Sequence, residues 1–485
     1  MLQGRLTRLR MAKTRFRLRL TRLRLRLRGT KPPPHKPSAP DARSSGAPSS
    51  GLKTPRRRRL PRPRIGRPSI SRRTGLIAVG VLLVAGGAAA VIVALDPFGG
   101  EDGGSPAPRV AGAEKVEVQV EAVEAAASLG FPAFATANTT RIGGSDPEAN
   151  AAGVALAVYP SAGGSAPPPA VTLVAEDDWQ GAIAASVLAS DPIHAPILIG
   201  SSDGLPDATG DAIAALGPTG SPETGGAGAF AIGDVDAPEG IETASGRGAD
   251  PAALAAAIDR LREKLLGRQP DHIVIASEEE AAFAMPAAAW AARSGDPVLF
   301  ARSDELPRPT AEALKRHKGV PVYVLGPSSV ISSQVVRQIA QLTGPPNRVS
   351  GEDPVANAIE FARYADGTFG WNINDPGHGF VVARSDRPAD AATASSLSAS
   401  GTWGPLLLTD SASELPGALR GYLLDVKPGY RSDPTRALYN HVWLIGDQEA
   451  IDVNQQAAID DLAELTKIGG GSERESTPSK KRGKA

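Results

Sequence analysis

Three stretches of this 485-residue chain repeat one order of features, and that order constrains the fold more than any other property of the sequence. They begin VTLVAEDDWQ at Val171, HIVIASEEEA at His272 and GFVVARSDRP at Gly379. Each passes from an apolar strand through an acidic turn into an Ala-rich helix and then a second apolar strand. A Leu-Pro pair follows (Leu205-Pro206, Leu306-Pro307, Leu415-Pro416), then another helix and a third strand: AFAIGD, PVYVLGP and HVWLIGD. A period of about 103 residues is that of a domain, far longer than a solenoid unit. Short apolar strands alternating with helices predict parallel β-structure joined by right-handed crossovers. The expectation is therefore α/β, with three tandem small open parallel sheets.

A second signature precedes each stretch: GSDPEANA from Gly144, GADPAALA from Gly248 and GEDPVANA from Gly351. An Asp followed by Pro and Ala-rich helix formers reads as an N-cap with Pro at the first helical position, where its missing N–H loses no bond. Each unit thus opens with a capped helix.

Charge divides the chain. Residues 1–74 hold 24 Lys/Arg and one acid, whereas residues 75–485 hold 29 bases and 51 acids. So dense a basic leader, with its Arg/Leu alternation and Arg56-Arg57-Arg58-Arg59, repels itself and has too little apolar surface for a core. It reads as a disordered, solvated cytoplasmic tail rather than a nucleic-acid site; Met11 offers an alternative start. Gly75 to Leu95 is free of charge for 21 residues, enough for a helix to cross about 30 Å of hydrocarbon. With the bases before it and Asp96, Glu101 and Asp102 after it, the N-terminus is expected in the cytoplasm and the repeats outside. A cleavable signal peptide is the competing reading, with Ala88-Ala89-Ala90 as its small residues, but the leader and the apolar run are both too long for one. The expected organisation is a leader at 1–74, a transmembrane helix at 75–95, and a linker with a short ordered lead-in at 96–138. Repeats follow at 139–240, 241–344 and 345–468, with a disordered tail at 469–485. No cysteine is present, which excludes disulfides and thiolate metal sites.

At these residues the chain resembles the cell-wall-binding repeat family, type 2, whose members occur as tandem triplets in bacterial surface and S-layer proteins. Arg141, Gly144 and Asp146 fit the family's opening in the first repeat, and Arg348, Gly351 and Asp353 fit it in the third. The second keeps Gly248 and Asp250 but has Ser245 in place of the Arg. Ala195-Pro196-Ile197-Leu198, Asp296-Pro297-Val298-Leu299 and Gly404-Pro405-Leu406-Leu407 fit its apolar block. Ile232-Gly233-Asp234, Leu325-Gly326-Pro327 and Ile445-Gly446-Asp447 fit its Val-Gly-Gly position. The departures are Pro147, Pro251 and Pro354 at a second Arg, and Asn150, Leu254 and Asn357 at a Thr; the helix-start Asp survives as Asp390. The resemblance implies three Rossmann-like repeats about a pseudo-threefold axis, attached noncovalently to an anionic wall polymer. An acidic ectodomain meets a polyanion unfavourably unless local Arg clusters or divalent cations offset the repulsion.

Few residues suggest other chemistry. Arg141 and Arg348 can grip carboxylate or phosphate with two parallel bonds, or tie the helix cap to the next strand through Asp146 and Asp353. Trp371, in the loop FGWNINDPGHG, is the tryptophan expected to be exposed for stacking on sugar. Glu176, Asp177 and Asp178 stand where ligands meet open α/β sheets and could hold a calcium ion; as a turn capping the next helix they need none. Gly200-Ser201-Ser202-Asp203-Gly204 fits a nucleophile elbow, with His272, His378 and His441 as candidate bases. The sister loops lack the motif, and all three helices start too late for an elbow. The glycines around Gly226 and Gly228 precede a strand and so are not a dinucleotide fingerprint. The reading is a non-catalytic, single-pass membrane protein that binds the wall through Arg141, Arg348, Asp390 and Trp371, without a cofactor unless calcium serves. The alternatives are an envelope protein–protein scaffold built on diverged repeats and, last, a hydrolase at Ser202.

Overall fold

The structure, a computed structural model, describes residues 133–160 and 166–468. They lie in one compact unit. The leader, the apolar run at 75–95, most of the lead-in and the tail lie outside the described residues. Among the described residues no helix is long and apolar enough to cross a membrane.

Three parallel sheets share one strand order. The first is built from β3 (Val171–Ala175), β4 (Ile197–Gly200), β5 (Ala229–Ile232) and β6 (Thr243–Gly246), ordered β4-β3-β5-β6. The second uses β7 (Ile273–Ser277), β8 (Val298–Ala301), β9 (Val322–Leu325) and β10 (Asn347–Val349), ordered β8-β7-β9-β10. The third has β11 (Gly379–Arg384), β12 (Leu406–Thr409) and β14 (His441–Ile445) in the order β12-β11-β14. Its fourth place is taken by β2 (Thr139–Ile142), from the other end of the chain, parallel to β14 with Val442 opposite Thr139. The strand β1 (Ala133–Ala135) then adds antiparallel to β2. A two-residue β13 (Gly429–Tyr430) pairs with β15 (Thr466–Lys467).

Each of the three larger sheets is therefore completed by a strand that opens the following unit. β6 precedes the second opening helix and joins the first sheet; β10 precedes the third and joins the second; β2 precedes the first and joins the last. The exchange is cyclic. The expected boundaries at 241 and 345 fall between the third and fourth strands of one sheet, so the sequence period and the sheet are out of phase by one strand.

The opening helices are α1 (Pro147–Val158), α4 (Pro251–Leu266) and α8 (Pro354–Arg363), and their caps are as the sequence predicts. Asp146, Asp250 and Asp353 accept from the backbone N–H of Ala149, Ala253 and Ala356 at 2.8, 2.7 and 2.8 Å, with Pro in the first turn. The second helices α3 (Asp207–Leu216), α6 (Arg308–Arg316) and α11 (Gly417–Asp425) start directly after the Leu-Pro pairs. Thr209 and Thr310 there each donate to the second strand, at Ile199 and Phe300 carbonyls 2.6 Å away. Each opening helix packs on the second strand and second helix of its own sheet: α1 on β4 and α3, α4 on β8 and α6, α8 on β12 and α11. Each unit thus sends its strand backwards and its helix forwards.

The Ala-rich helices occupy the centre. They are α2 (Trp179–Ala185), which runs into a 3₁₀ turn at Ser186–Ala189, α5 (Ala281–Ser294), and the pair α9 (Pro388–Thr393) and α10 (Ser395–Ala399). Each touches the other two. Alanine side chains at 0–2 % exposure, such as Ala182, Ala185, Ala288, Ala291, Ala391 and Ala392, permit that approach; the close packing rewards small, well-fitted groups. The three mutual contacts bring the three repeat-like units together around these helices.

Candidate functional site

The repeat-opening motif lies at the junctions between units. The glycines Gly144, Gly248 and Gly351 pass directly against the opening helix. A Cβ there would stand 2.7 Å from Asn150 N, 2.1 Å from Leu254 N and 2.3 Å from Ala356 C, respectively. The motif keeps glycine because only a bare backbone fits. The glycine leaving each third strand accepts the incoming strand: Gly233, Gly326 and Gly446 donate to the Gly246, Val349 and Ile142 carbonyls at 2.8, 2.9 and 2.8 Å. All three have positive φ, 77°, 115° and 104°.

Arg141 fastens that junction in the third sheet. Its Nε donates to Gln456 Oε1 at 3.0 Å, and Nη1 donates to the Gly446 and Asp447 carbonyls at 2.8 and 2.6 Å. Nη2 donates to the Ile451 carbonyl. The residue is 3 % exposed, and burial pulls its pKa down to about 10 against the raising influence of Asp447 and Asp452. It remains charged at neutral pH. Arg348 repeats the arrangement in the second sheet, with Nη1 on the Gly326 carbonyl and Nη2 on the Ile331 carbonyl at 2.7 Å. It is half-buried, and burial lowers its pKa too. The first sheet has Ser245 at this place and no such clasp. The expected partners Asp146 and Asp353 cap helices instead. Both arginines donate to turn carbonyls of the chain and neutralise them inside the junction, and Arg141, which is buried, shows no face to solvent, whereas Arg348 is only half-buried.

The Asn at the family's Thr position crosses to the neighbouring unit. Gly144 N–H donates to Asn150 Oδ1 at 2.8 Å, and Asn150 Nδ2 donates to Asp390 Oδ1 at 3.0 Å. In the third unit Gly351 N–H donates to Asn357 Oδ1 at 3.2 Å, and Asn357 Nδ2 reaches the Phe283 carbonyl of α5 at 3.4 Å. Asp390 is 1 % exposed, and its Oδ2 has no hydrogen-bond partner within the protein; Arg387 Nη1 stands 3.9 Å away. Burial raises its pKa to about 6, although Asn150 and Arg387 oppose the rise. The side chain expected at the polymer is thus enclosed at the junction between units.

The acidic turns lie at the strand ends. Glu176 and Asp177 are exposed, while Asp178 caps α2, accepting from Gly181 N–H at 2.7 Å. Among the described residues no three His, Cys, Asp or Glu side chains converge as a metal site would require. In the second unit Glu278 is buried and accepts from Arg302 Nε at 3.1 Å. Gln180 Nε2 donates across the unit boundary to the Glu278 carbonyl at 3.1 Å.

Trp371 is half-buried rather than displayed. It meets Trp290 edge-on at 5.5 Å, and its indole nitrogen is buried. Its loop plugs the entry end of the second sheet, where Phe369 stacks on Tyr323 at 3.5 Å. His272 holds that plug: Asp296 Oδ2 lies 3.1 Å from Nδ1 and Thr368 Oγ1 lies 2.9 Å from Nε2. Asp296 also accepts from Trp290 Nε1 at 3.0 Å. This imidazole serves the packing of one unit on the next, and it sits at the opposite strand ends from Ser202. Among the described residues no hydrogen bond joins Ser202 to a histidine or carboxylate.

Residues 247–336 and 348–455 match the family model described as Cell wall binding domain 2 (CWB2). No curated protein matches the chain. Among solved structures, Cwp8 from Clostridium difficile aligns with a TM-score of 0.53 at 20% identity, over 72% of this chain and 55% of that one. Cwp6 from Clostridium difficile aligns with a TM-score of 0.54 at 19% identity, over 68% of this chain and 48% of that one. The chain thus spans about half the length of these structures, and the likeness is one of fold.

Proposed function

We propose that this chain, whose second and third repeats are cell wall binding domain 2 units, is a noncatalytic anchor that holds the outer face of a cytoplasmic membrane to an anionic wall polymer. The observation that carries the reading is the family match on two repeats, joined to the strand order that all three sheets share. The first repeat, outside the matched residues, has the same sheet and the same capped opening helix, so it belongs to the same binding unit.

The membrane half of the proposal rests on sequence. The apolar run at 75–95 and the basic residues before it favour a single span with the N-terminus inside. The repeats would then face the wall, joined to the span by the Gly/Pro-rich linker. The test is co-sedimentation of the protein with protein-free sacculi, before and after acid removal of secondary polymers, with and without calcium. Binding that disappears on stripping supports the proposal; no binding under any of these conditions removes it.

A further inference from the structure

Charge is distributed unequally over the three repeats, and one surface stands apart. Residues 139–240 contain 13 acids and a single base, the buried Arg141, so the first repeat offers no exposed cation. Residues 241–344 contain 12 of each sign, but three of those acids are buried in ion pairs. Asp259 is buried against Arg316 and His317, Asp296 against His272, and Glu278 against Arg302.

Six of the twelve bases lie on the later part of α4, the end of α6 and the turns after them, and the two helices pack side by side. Arg260, Lys264 and Arg268 rise from α4 and the turn after it; Lys315, Arg316 and Lys318 come from the end of α6. The two ends are tied together. Arg316 Nη2 donates to Asp259 Oδ2 at 2.6 Å, and Gln269 Nε2 reaches the Arg316 carbonyl at 3.3 Å. Of the six cations only Arg268 and Arg316 have an ion-pair partner, Asp271 at 3.5 Å and the buried Asp259. Beneath them lies Arg262, fully buried, with Nε on the Gly295 carbonyl and Nη1 on the Arg268 carbonyl. Its Nη2 has no hydrogen-bond partner within the protein, nor has the buried Nε of Arg316. Burial, reinforced by the neighbouring Arg268 charge, lowers the pKa of Arg262. Helix C-termini favour one or two cations each. Besides the buried Asp259, Glu263, Asp271 and Glu312 lie on the same elements, so six cations stand against three acids that are not buried, with further guanidinium donors left over below.

We infer that this α4–α6 face of the second repeat is where the anionic wall polymer is gripped, through charge-assisted contacts to its phosphate or carboxylate groups. The inference rests on the wall-binding reading above and assigns it a place away from the repeat-opening arginines. It also answers the repulsion of an otherwise acidic ectodomain: the first repeat repels the polymer and the second receives it.

The test uses the full chain in phosphatidylcholine discs and protein-free sacculi as the probe. Three forms are compared: wild type; Lys264→Glu/Lys315→Glu/Lys318→Glu; and Arg420→Glu/Arg431→Glu/Arg436→Glu. The last makes the same change of net charge on exposed residues of the third repeat. The inference expects the first triple to weaken binding by at least about tenfold, roughly 1.4 kcal/mol, and the second to leave it within about twofold. The triple Lys→Gln variant, which introduces no new charge, should weaken binding in the same order and covers the case in which reversal impairs folding. Equal losses from both Glu triples would mean general electrostatics and would overturn the site. Wild-type binding by the first triple would overturn the site while leaving the wall-binding reading intact. A patch that matters only when phosphatidylglycerol replaces phosphatidylcholine would assign the face to lipid instead. Failure of wild type itself to bind would remove both readings.

Discussion

Arg141 Nη1 donates to the carbonyl of Gly446, 305 positions later, at 2.8 Å. The bond joins the opening strand of the first unit to the last strand of the third and closes the cyclic exchange of strands. Three consequences of that closure, and one of the loop that plugs the second sheet, can be measured.

Arg141→Ala should destabilise the protein by about 2–5 kcal/mol, because it leaves the Gly446, Asp447 and Ile451 carbonyls without their charged donor inside the junction. Arg348→Ala, half-buried and with two bonds, should cause a smaller loss. Urea unfolding of both variants measures the difference, and the order Arg141 above Arg348 is the expected outcome.

Gly351→Ala should be more disruptive than any surface change, since the added Cβ would lie 2.3 Å from backbone atoms of α8. The cap, the Asn357 bridge and the strand β10 all adjoin that point. A drop of several degrees in Tm, against a small rise for Gly210→Ala, which lies within α3 with open space around its Cβ, is the expected contrast.

Asp390 makes stability depend on pH with a definite sign. Its folded pKa is raised to about 6 by burial from an ordinary value of 3.8, so the folded state holds the proton more tightly than the unfolded one. The favourable contribution is fully present below about pH 4 and is lost as pH rises through about 6. Asp390→Asn, which keeps the acceptor for Asn150, should flatten the curve of urea midpoint against pH between 4 and 7. An unchanged slope would show that other carboxylates set it.

Phe369→Ala should free the plug in the second sheet. Phe369 is 1 % exposed and stacks on Tyr323 at 3.5 Å, and Trp290 lies 4.8 Å away. A loss of about 3–5 kcal/mol with a red shift in tryptophan emission is expected. His272→Ala should produce the same red shift with a loss of similar order, since it removes the bond to Thr368, deprives the buried Asp296 of a partner and takes a ring away from Phe369.

Much of the fold was legible in the sequence because its determinants are local. Asp-Pro announces a cap and a first turn within four residues, and Leu-Pro announces the second helix in the same way. The apolar runs at Val171, Ile273 and Phe380 became first strands because each is long enough for a buried strand and too short for a helix. Strand exchange was not legible. A periodic sequence fixes the order of elements but not the phase at which they are cut into sheets, and parallel partners are chosen by contacts far along the chain. The surroundings of the arginines were hidden for the same reason. Arg141 looks like a surface ligand until β2 is placed beside β14, where four acceptors surround it. Asp390 could not be recognised as interior without Asn150, 240 positions away. Trp371 failed for a similar reason: its loop is rich in turn formers, yet the adjoining Phe369 carries it against Trp290. The cationic face was hidden because α4 and α6, far apart in the sequence, pack together only in the fold.

The strand β2 closes the three units into one by pairing with β14. Amide hydrogen exchange at Val442, Leu444 and Gly446 tests it most directly, since Val442 and Gly446 donate to the Asn138 and Ile142 carbonyls at 3.0 and 2.8 Å. The protein should be compared with a form in which Thr140→Pro and Ile142→Pro break that strand. Closure predicts that protection at these β14 amides falls by at least about a hundredfold while that at Ile275 and Val324 in the second sheet is largely kept. Equal protection in the two forms would contradict it.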